Sequence, residues 1–254
     1  MKNRSISTLM STNRYNKGCI VAKMKKNTVC IILPALDEEL TVGKVIDEIP
    51  RHELEDEGYQ VDILVVDGNS SDRTRQIAQE KGARIVLEPR RGKGRAIRTI
   101  MESIEADFVF MLDADYTYPA TYIPEMLEIL RQGCPVVIGS RLRGGQEKGA
   151  MRRLNMIGNS MLTWIANTLY RTSISDLCTG YWGMRAEVIP DLNLLADGFQ
   201  LEAEIYTQLS KKGYSIAEVP TYYRCRKGKA KLSGVKDGIK IFWLLISRRF
   251  SSHR

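Results

Sequence analysis

The sequence predicts an α/β protein: an open, mostly parallel doubly wound sheet with helices on both faces. Two observations carry this reading. Short β-rich runs alternate with stretches of helical period from residue 29 onward, which is βαβα order. The runs are continuously apolar rather than alternating, as in strands covered on both faces. Ligands of such sheets bind beyond the carboxyl ends of the strands, so the residues after each run are the functional candidates.

Taken in order, strands are expected at 29–33, 61–66, 84–87, 108–112 and 136–138. Helices are expected between them at 38–49, 72–81, 93–105 and 119–130, the second opened by the cap Ser70-Ser71-Asp72. After Arg143 the pattern changes. Gly144-Gly145 starts a basic loop, 151–170 reads as a helix, 173–179 as a polar turn, 201–212 as a helix and 216–219 as one more strand. No internal repeat or low-complexity segment interrupts this order.

At 254 residues and 43% hydrophobic content the chain can bury the core of one large domain. We assign 28–232 to a catalytic domain, preceded by a basic, disordered tail (1–27, with Met24 an alternative start) and followed by an amphipathic basic helix (233–254). Five scattered cysteines, without a CxxC, support neither a disulfide framework nor a zinc site and read as reduced thiols in a cytosol.

The net charge of +8 is unevenly spread. Residues 1–36 carry seven basic side chains and no acid, and 221–254 carry ten against Asp237 alone, so the remainder is acidic. That distribution argues against nucleic acid, which a basic stripe over the folded body would suit, and favours an anionic membrane surface approached from one side. No apolar run approaches the ~20 residues of a membrane span. In 235–250, Ile239, Phe242, Trp243, Ile246 and Phe250 recur at helical spacing among Lys and Arg. Such a helix either rests in the headgroup region or packs on the domain or a twin subunit. The expected location is cytoplasmic, peripheral on the membrane face, with a homo-oligomer or a membrane-protein partner left open.

Asp113-Ala114-Asp115 closes the run Phe108 to Leu112. In extended chain i and i+2 point the same way, so both carboxylates can face one ligand, and Mg²⁺ or Mn²⁺ would complete its shell with water and phosphate oxygens. Alone, the pattern describes a solvated turn equally well. Asp67, in Val66-Asp67-Gly68-Asn69-Ser70, either accepts from a ring N–H or ribose hydroxyl or only shapes a turn. Arg90 to Arg95 is a basic glycine loop opening a helix, with Lys93 directed to a nucleotide's phosphates, although it fits neither the P-loop nor the dinucleotide fingerprint. Arg141, and Arg152 with Arg153, are guanidinium candidates for two phosphate groups.

Together Pro34 to Glu38, Val66 to Ser70, Asp113 to Asp115, Gly139-Ser140-Arg141 and Asp176 to Tyr181 resemble, in order, the motifs of family 2 glycosyltransferases. The nearer likeness is to the dolichyl-phosphate mannose synthase and polyprenyl-phosphate glucosyltransferase branch, especially its archaeal members, and runs over residues 29–232. The resemblance implies a GT-A-like nucleotide-sugar domain in which Pro34, Leu36, Glu38 and Asp67 form the base and ribose pocket. It assigns Asp113 and Asp115 to the metal and diphosphate, Arg141 and Arg152 or Arg153 to phosphate oxygens, and Arg224, Arg226 and Lys231 to a loop closing over the donor. Two positions depart from the pattern. Thr117 stands where a metal-binding Gln is usual, and Ala230 replaces a hydroxyl in Gly228-Lys229-Ala230-Lys231-Leu232. Glu202 and Glu204 could contact sugar hydroxyls, or serve equally well in capping a helix or at the surface.

The implied reaction is inverting, metal-dependent transfer of a sugar from a nucleotide diphosphate sugar (UDP-glucose, UDP-GlcNAc or GDP-mannose) to polyprenyl phosphate. A phosphate monoester, with a second pKa near ~6, needs no general base, which suits a chain with two histidines, both outside the strand-end motifs. The competing readings are a soluble acceptor and a sugar-nucleotide pyrophosphorylase. The latter would want a glycine-rich loop where Pro34-Ala35-Leu36 stands.

Overall fold

Seven strands and eight helices build the described part of the chain, which in the computed structural model comprises residues 27–101, 103–228 and 234–251. Nearly all of the predicted 1–27 tail lies outside these residues, as does Lys231. The strands are β1 (Thr28–Ala35), β2 (Gln60–Asp67), β3 (Arg84–Leu87), β4 (Phe108–Met111), β5 (Val136–Ser140), β6 (Trp182–Arg185) and β7 (Ile216–Pro220). The helices are α1 (Val42–Glu48), α2 (Arg51–Asp56), α3 (Thr74–Glu80), α4 (Lys93–Met101), α5 (Ile123–Arg131), α6 (Arg153–Tyr170), α7 (Leu201–Lys211) and α8 (Gly234–Phe250).

The strands form one sheet in the order β3-β2-β1-β4-β6-β5-β7. All pairings are parallel except those of β6, which runs antiparallel to both β4 and β5. The parallel strands therefore end on one edge, where residues 35–38, 67–72, 113–119 and 140–143 emerge. This is the predicted doubly wound sheet, with β6 and α2 as elements that sequence reasoning did not anticipate.

The alternation along β1 shows how the core is divided. Val29, Ile31 and Leu33 pack under α1, α2, α3 and α5, while Cys30 and Ile32 face the opposite layer of α4, α6, α7 and α8. The second layer includes Ile241 and Leu245 of α8, so the C-terminal helix is seated on the domain core. Within its predicted apolar set, Ile239, Trp243 and Phe250 remain exposed, whereas Phe242 and Ile246 are half-buried. The four cysteines among the described residues are unpaired.

Of the four non-glycine residues with positive φ among the described residues, three lie at the sheet's carboxyl edge and the fourth, Arg171, ends α6. Asp37, Asn69 and Tyr116 have φ of 48°, 66° and 67°, and each sits in a different loop following a strand. Left-handed backbone at non-glycine residues is costly and persists where surrounding contacts impose it. The Asp37 loop is held in that way: Asp37 N–H donates to Ser70 Oγ at 2.9 Å, and Asp37 Oδ1 accepts from Ser71 N–H at 2.8 Å.

Trp182 tests the role of β6. It is fully buried between β4 and β5, and its indole N–H donates to Thr179 C=O at 2.8 Å. Trp182→Ala should lower the unfolding free energy by about 3–5 kcal/mol through cavity formation, read as a reduced urea midpoint in chemical denaturation.

Candidate active site

A cavity of about 290 Å³ opens at the carboxyl edge of β1, β2 and β4. Pro34, Leu36 and Glu38 line one wall, Arg91, Gly92 and Lys93 another, and Asp113 and Asp115 the floor. Gly68, Phe199 and Arg226 complete it. Segments predicted separately from five parts of the chain thus meet in one depression. Phe199 had no assigned role in the sequence reading, since nothing in the spacing of Gly198-Phe199-Gln200 says which cavity it faces.

The acidic floor is held by cations from distant segments. Lys93 Nζ lies 2.5 Å from Asp113 Oδ1 and 2.6 Å from Glu202 Oε1. Burial would depress this ammonium, but the two carboxylates outweigh it and hold the group above its ordinary value. Glu202 is pushed up by burial and by Asp113, against the pull of Lys93. Arg226 joins the other pair, with Nη2 2.8 Å from Glu38 Oε1 and Nη1 3.2 Å from Asp115 Oδ2. Asp115 Oδ1 accepts from Thr117 N–H at 3.0 Å and from its hydroxyl at 2.5 Å. Burial and the nearby Asp113 charge nevertheless raise the Asp115 carboxyl. The predicted departure at Thr117 is therefore a structural partner of Asp115 rather than an empty position.

Room for this cluster depends on Gly180. A Cβ there would lie 2.5 Å from Asp113 Oδ2 and 3.1 Å from Lys93 Nζ, so any side chain would displace the carboxylate. Gly180 N–H in turn donates to the buried Tyr118 hydroxyl at 2.8 Å, fixing the approach of the strand that follows.

Asp67 sits at the end of β2, fully buried. Its Oδ2 accepts from Ser70 N–H at 3.0 Å and faces Arg75 Nη1 at 3.3 Å, while Oδ1 has no hydrogen-bond partner among the described residues. An unsatisfied buried carboxylate oxygen costs free energy unless a ligand donor meets it.

Other predicted residues fall outside the cavity. Arg141, partly exposed, forms a bidentate pair with the buried Asp176, Nε to Oδ2 at 2.8 Å and Nη2 to Oδ1 at 2.7 Å, and its guanidinium lies over the Tyr223 ring. Asn159 Nδ2 donates to the same carboxylate at 2.7 Å. Burial opposes the charge of both partners. Their mutual attraction wins, keeping Arg141 charged and holding the Asp176 carboxyl below its usual range. Arg224 turns to Glu48, at 2.9 and 2.7 Å, and stacks on Tyr116. Arg152 and Arg153 stand exposed at the start of α6. Glu204 is buried; it accepts from the N–H groups of Leu195 and Ala196 in the loop before α7 and meets Arg248, so it ties that loop down rather than capping a helix.

No group of three or more His, Cys, Asp and Glu side chains among the described residues forms a closed metal cage. Asp113 and Asp115 fit a different mode: two hard oxygen ligands on a cavity floor, with the remaining positions left to water and a diphosphate, as Mg²⁺ and Mn²⁺ accept.

Comparison with known proteins agrees with this geometry. The model of glycosyl transferase family 2 matches residues 30–192. The chain is 36% identical over 225 residues to glycosyltransferase AglJ of Haloferax volcanii, covering 87% of this chain and 72% of that one. It is 33% identical over 213 residues to a dolichyl-phosphate hexose transferase of the same organism, covering 84% and 90% respectively. Among solved structures, glucosyl-3-phosphoglycerate synthase from Mycobacterium tuberculosis, crystallised with Mn²⁺ and UDP-glucose, superposes with a TM-score of 0.68 at 22% identity over 89% of this chain and 80% of that one. That likeness establishes the GT-A-type fold.

Removing the central ammonium tests the cluster. Lys93→Met leaves Asp113 and Glu202 facing each other and should cost about 3 kcal/mol of stability, partly restored by adding Glu202→Gln. A carboxyl raised in the folded state destabilises above its folded pKa, so the deficit of Lys93→Met should shrink as pH falls from 7 toward the carboxylate range. Chemical denaturation across pH measures both.

Proposed function

The chain belongs to glycosyl transferase family 2, and we propose that its reaction is transfer of a hexose from a nucleotide diphosphate sugar to a polyprenyl phosphate, with inversion at the anomeric carbon. The observation that carries this reading is the shared cavity. Asp113 and Asp115 occupy its floor, next to the Pro34, Leu36 and Glu38 wall and the α4 loop.

The nucleoside would lie along Pro34, Leu36 and Gly68, and Asp67 Oδ1, buried on the residue before Gly68 and outside the cavity lining, would accept from a base N–H. Glu38 would address the ribose. The diphosphate would extend toward Lys93 and the backbone of residues 91–93 at the start of α4. A divalent ion held by Asp113 and Asp115 would neutralise charge developing on the departing diphosphate. Glu202, bridged to Asp113 through Lys93, would accept from hydroxyls of the transferred sugar.

The acceptor assignment rests on chemistry and on the relatives' names. His52, the histidine among the described residues, is exposed on α2 and does not line the cavity. A phosphate dianion attacks without deprotonation, so no base is required. Arg152 and Arg153 would receive that phosphate, and Arg141 would act from behind by fixing the 176–181 segment through Asp176. The reaction would take place at the cytoplasmic face of a membrane, where the lipid resides. The 33% identical dolichyl-phosphate hexose transferase supports this class of acceptor.

Incubation with labelled UDP-glucose or GDP-mannose, Mn²⁺ and polyprenyl phosphate should move label into the organic phase. Label that stays aqueous with polyprenyl phosphate but passes to a phosphorylated glycerate would assign a soluble acceptor instead. Asp115→Ala should reduce transfer by at least about 10²-fold with the circular dichroism spectrum unchanged; full activity in that variant would refute the metal role. Thermal shifts with UDP- and GDP-sugars would identify the donor nucleotide.

A further inference from the structure

We propose that the outer faces of α6 and α8 together form one docking surface for an anionic phospholipid bilayer. The proposal deepens the lipid-acceptor reading by placing the membrane against a particular face, half of it contributed by a helix whose sequence gave no membrane signal.

Leu154, Ile157, Met161 and Trp164 of α6 recur at helical spacing, and each is at least 57% exposed. Val235, Ile239, Trp243 and Phe250 do the same on α8, each at least 55% exposed. Scattered exposed apolar side chains are ordinary on any surface, but contiguous stripes on adjacent elements are not. The two helices lie side by side in the same direction. At their starts, a Cβ on Gly234 would fall 2.5 Å from Asn155 Oδ1. At their ends, Tyr170 hydroxyl donates to Leu245 C=O at 2.9 Å and Arg249 Nε to Leu169 C=O at 2.8 Å. The inner faces, with Leu162, Ala166, Ile241 and Leu245, are spent on the core, so the outward stripes run in parallel with nothing from the described chain over them.

Charge selects the occupant. α6 contains no acidic residue, and the sole acid of α8, Asp237, is buried and paired with Lys240. Arg152, Arg153, Lys236, Lys240 and Arg249 are exposed around the stripes. A second copy docking by this face would set basic rim against basic rim, which isologous pairing makes unfavourable. Anionic headgroups meet the rim favourably while the apolar side chains enter the acyl boundary, and the two tryptophans suit that depth. Among the described residues no helix is long and apolar enough to cross a bilayer, so docking would be in plane. The surface starts at Arg152 and Arg153, which brings the arginines proposed for acceptor phosphate to headgroup level.

The test is flotation of the full chain with phosphatidylcholine vesicles, with and without phosphatidylglycerol. The wild type should float with the anionic vesicles. Ile157→Ser combined with Trp164→Ser, which leaves α8 intact, should weaken partitioning at least about tenfold, while circular dichroism and the thermal shift with UDP- or GDP-sugar stay as in wild type. Flotation unchanged by the α6 variant would overturn the proposal. So would a wild-type chain that ignores anionic vesicles, or a wild-type dimer that the α6 variant splits. The vesicles contain no polyprenyl phosphate, so docking without transfer would defeat the acceptor reading alone, and transfer without docking would defeat this surface alone.

Discussion

Acidic side chains brought together at one sheet edge repel one another, and the structure depends on cations from elsewhere in the chain to hold them there. Two unit charges 4 Å apart interact by about 4 kcal/mol at an effective dielectric of 20, so Asp113, Asp115, Glu38 and Glu202 could not converge uncompensated. Lys93 from the start of α4 serves Asp113 and Glu202, and Arg226 from beyond β7 serves Glu38 and Asp115. A third clamp, Arg141 with Asp176, ties the end of β5 to the segment leading into β6. Each clamp joins residues far apart in sequence, so the charges that a nucleotide site requires also lock the topology.

The same pairs connect the parts of the site. Arg226 spans from the predicted ribose wall to the predicted metal carboxylate, so the segment after β7 lies across the cavity in this structure. Lys93 lies between Asp113 on the cavity floor and Glu202 on α7. A donor entering here would meet groups already aligned, and the electrostatic work of gathering them has been done in folding. Preorganisation of this kind is the largest usual source of catalytic stabilisation.

The strands of the parallel part were legible because buried parallel strands write themselves as unbroken apolar runs. Val29 to Leu33 and Phe108 to Leu112 are of that kind, and the rim motifs followed from where those runs stop. β6 was not legible. Trp182-Gly-Met-Arg185 is four residues long, has no β-branched residue and owes its place to antiparallel pairing between β4 and β5. Pairing between distant charges was equally hidden. Nothing in the spacing says that Arg141 meets Asp176, or that Arg224 turns away from the cavity to Glu48 while Arg226, two residues on, turns into it. The periodicity of α8 was visible, but its phase was not. Packing on the core selected Ile241 and Leu245 as the inner residues and left Ile239 and Trp243 outside.

One buried carboxylate connects the outer helix to the cavity at the sheet edge. Glu204 is 1% exposed; its Oε2 accepts from the N–H groups of Leu195 and Ala196 at 2.9 and 2.7 Å, and its Oε1 pairs with Arg248 near the end of α8. The carbonyls of Ala196 and Asp197 press on the first turn of α4, where a Cβ on Gly94 would lie 2.0 Å from Ala196 O. Asp197 also binds Arg95 and Arg98 of that helix, at 2.6 and 3.0 Å. The position of the α4 loop, and of Lys93 within it, is thus set on one side by Asp113 and on the other by a chain of contacts that ends on α8. A helix that only decorated the surface would need no such anchor. Because its anchor is a charge that also fixes the loop before α4, α8 is part of the architecture that shapes the cavity.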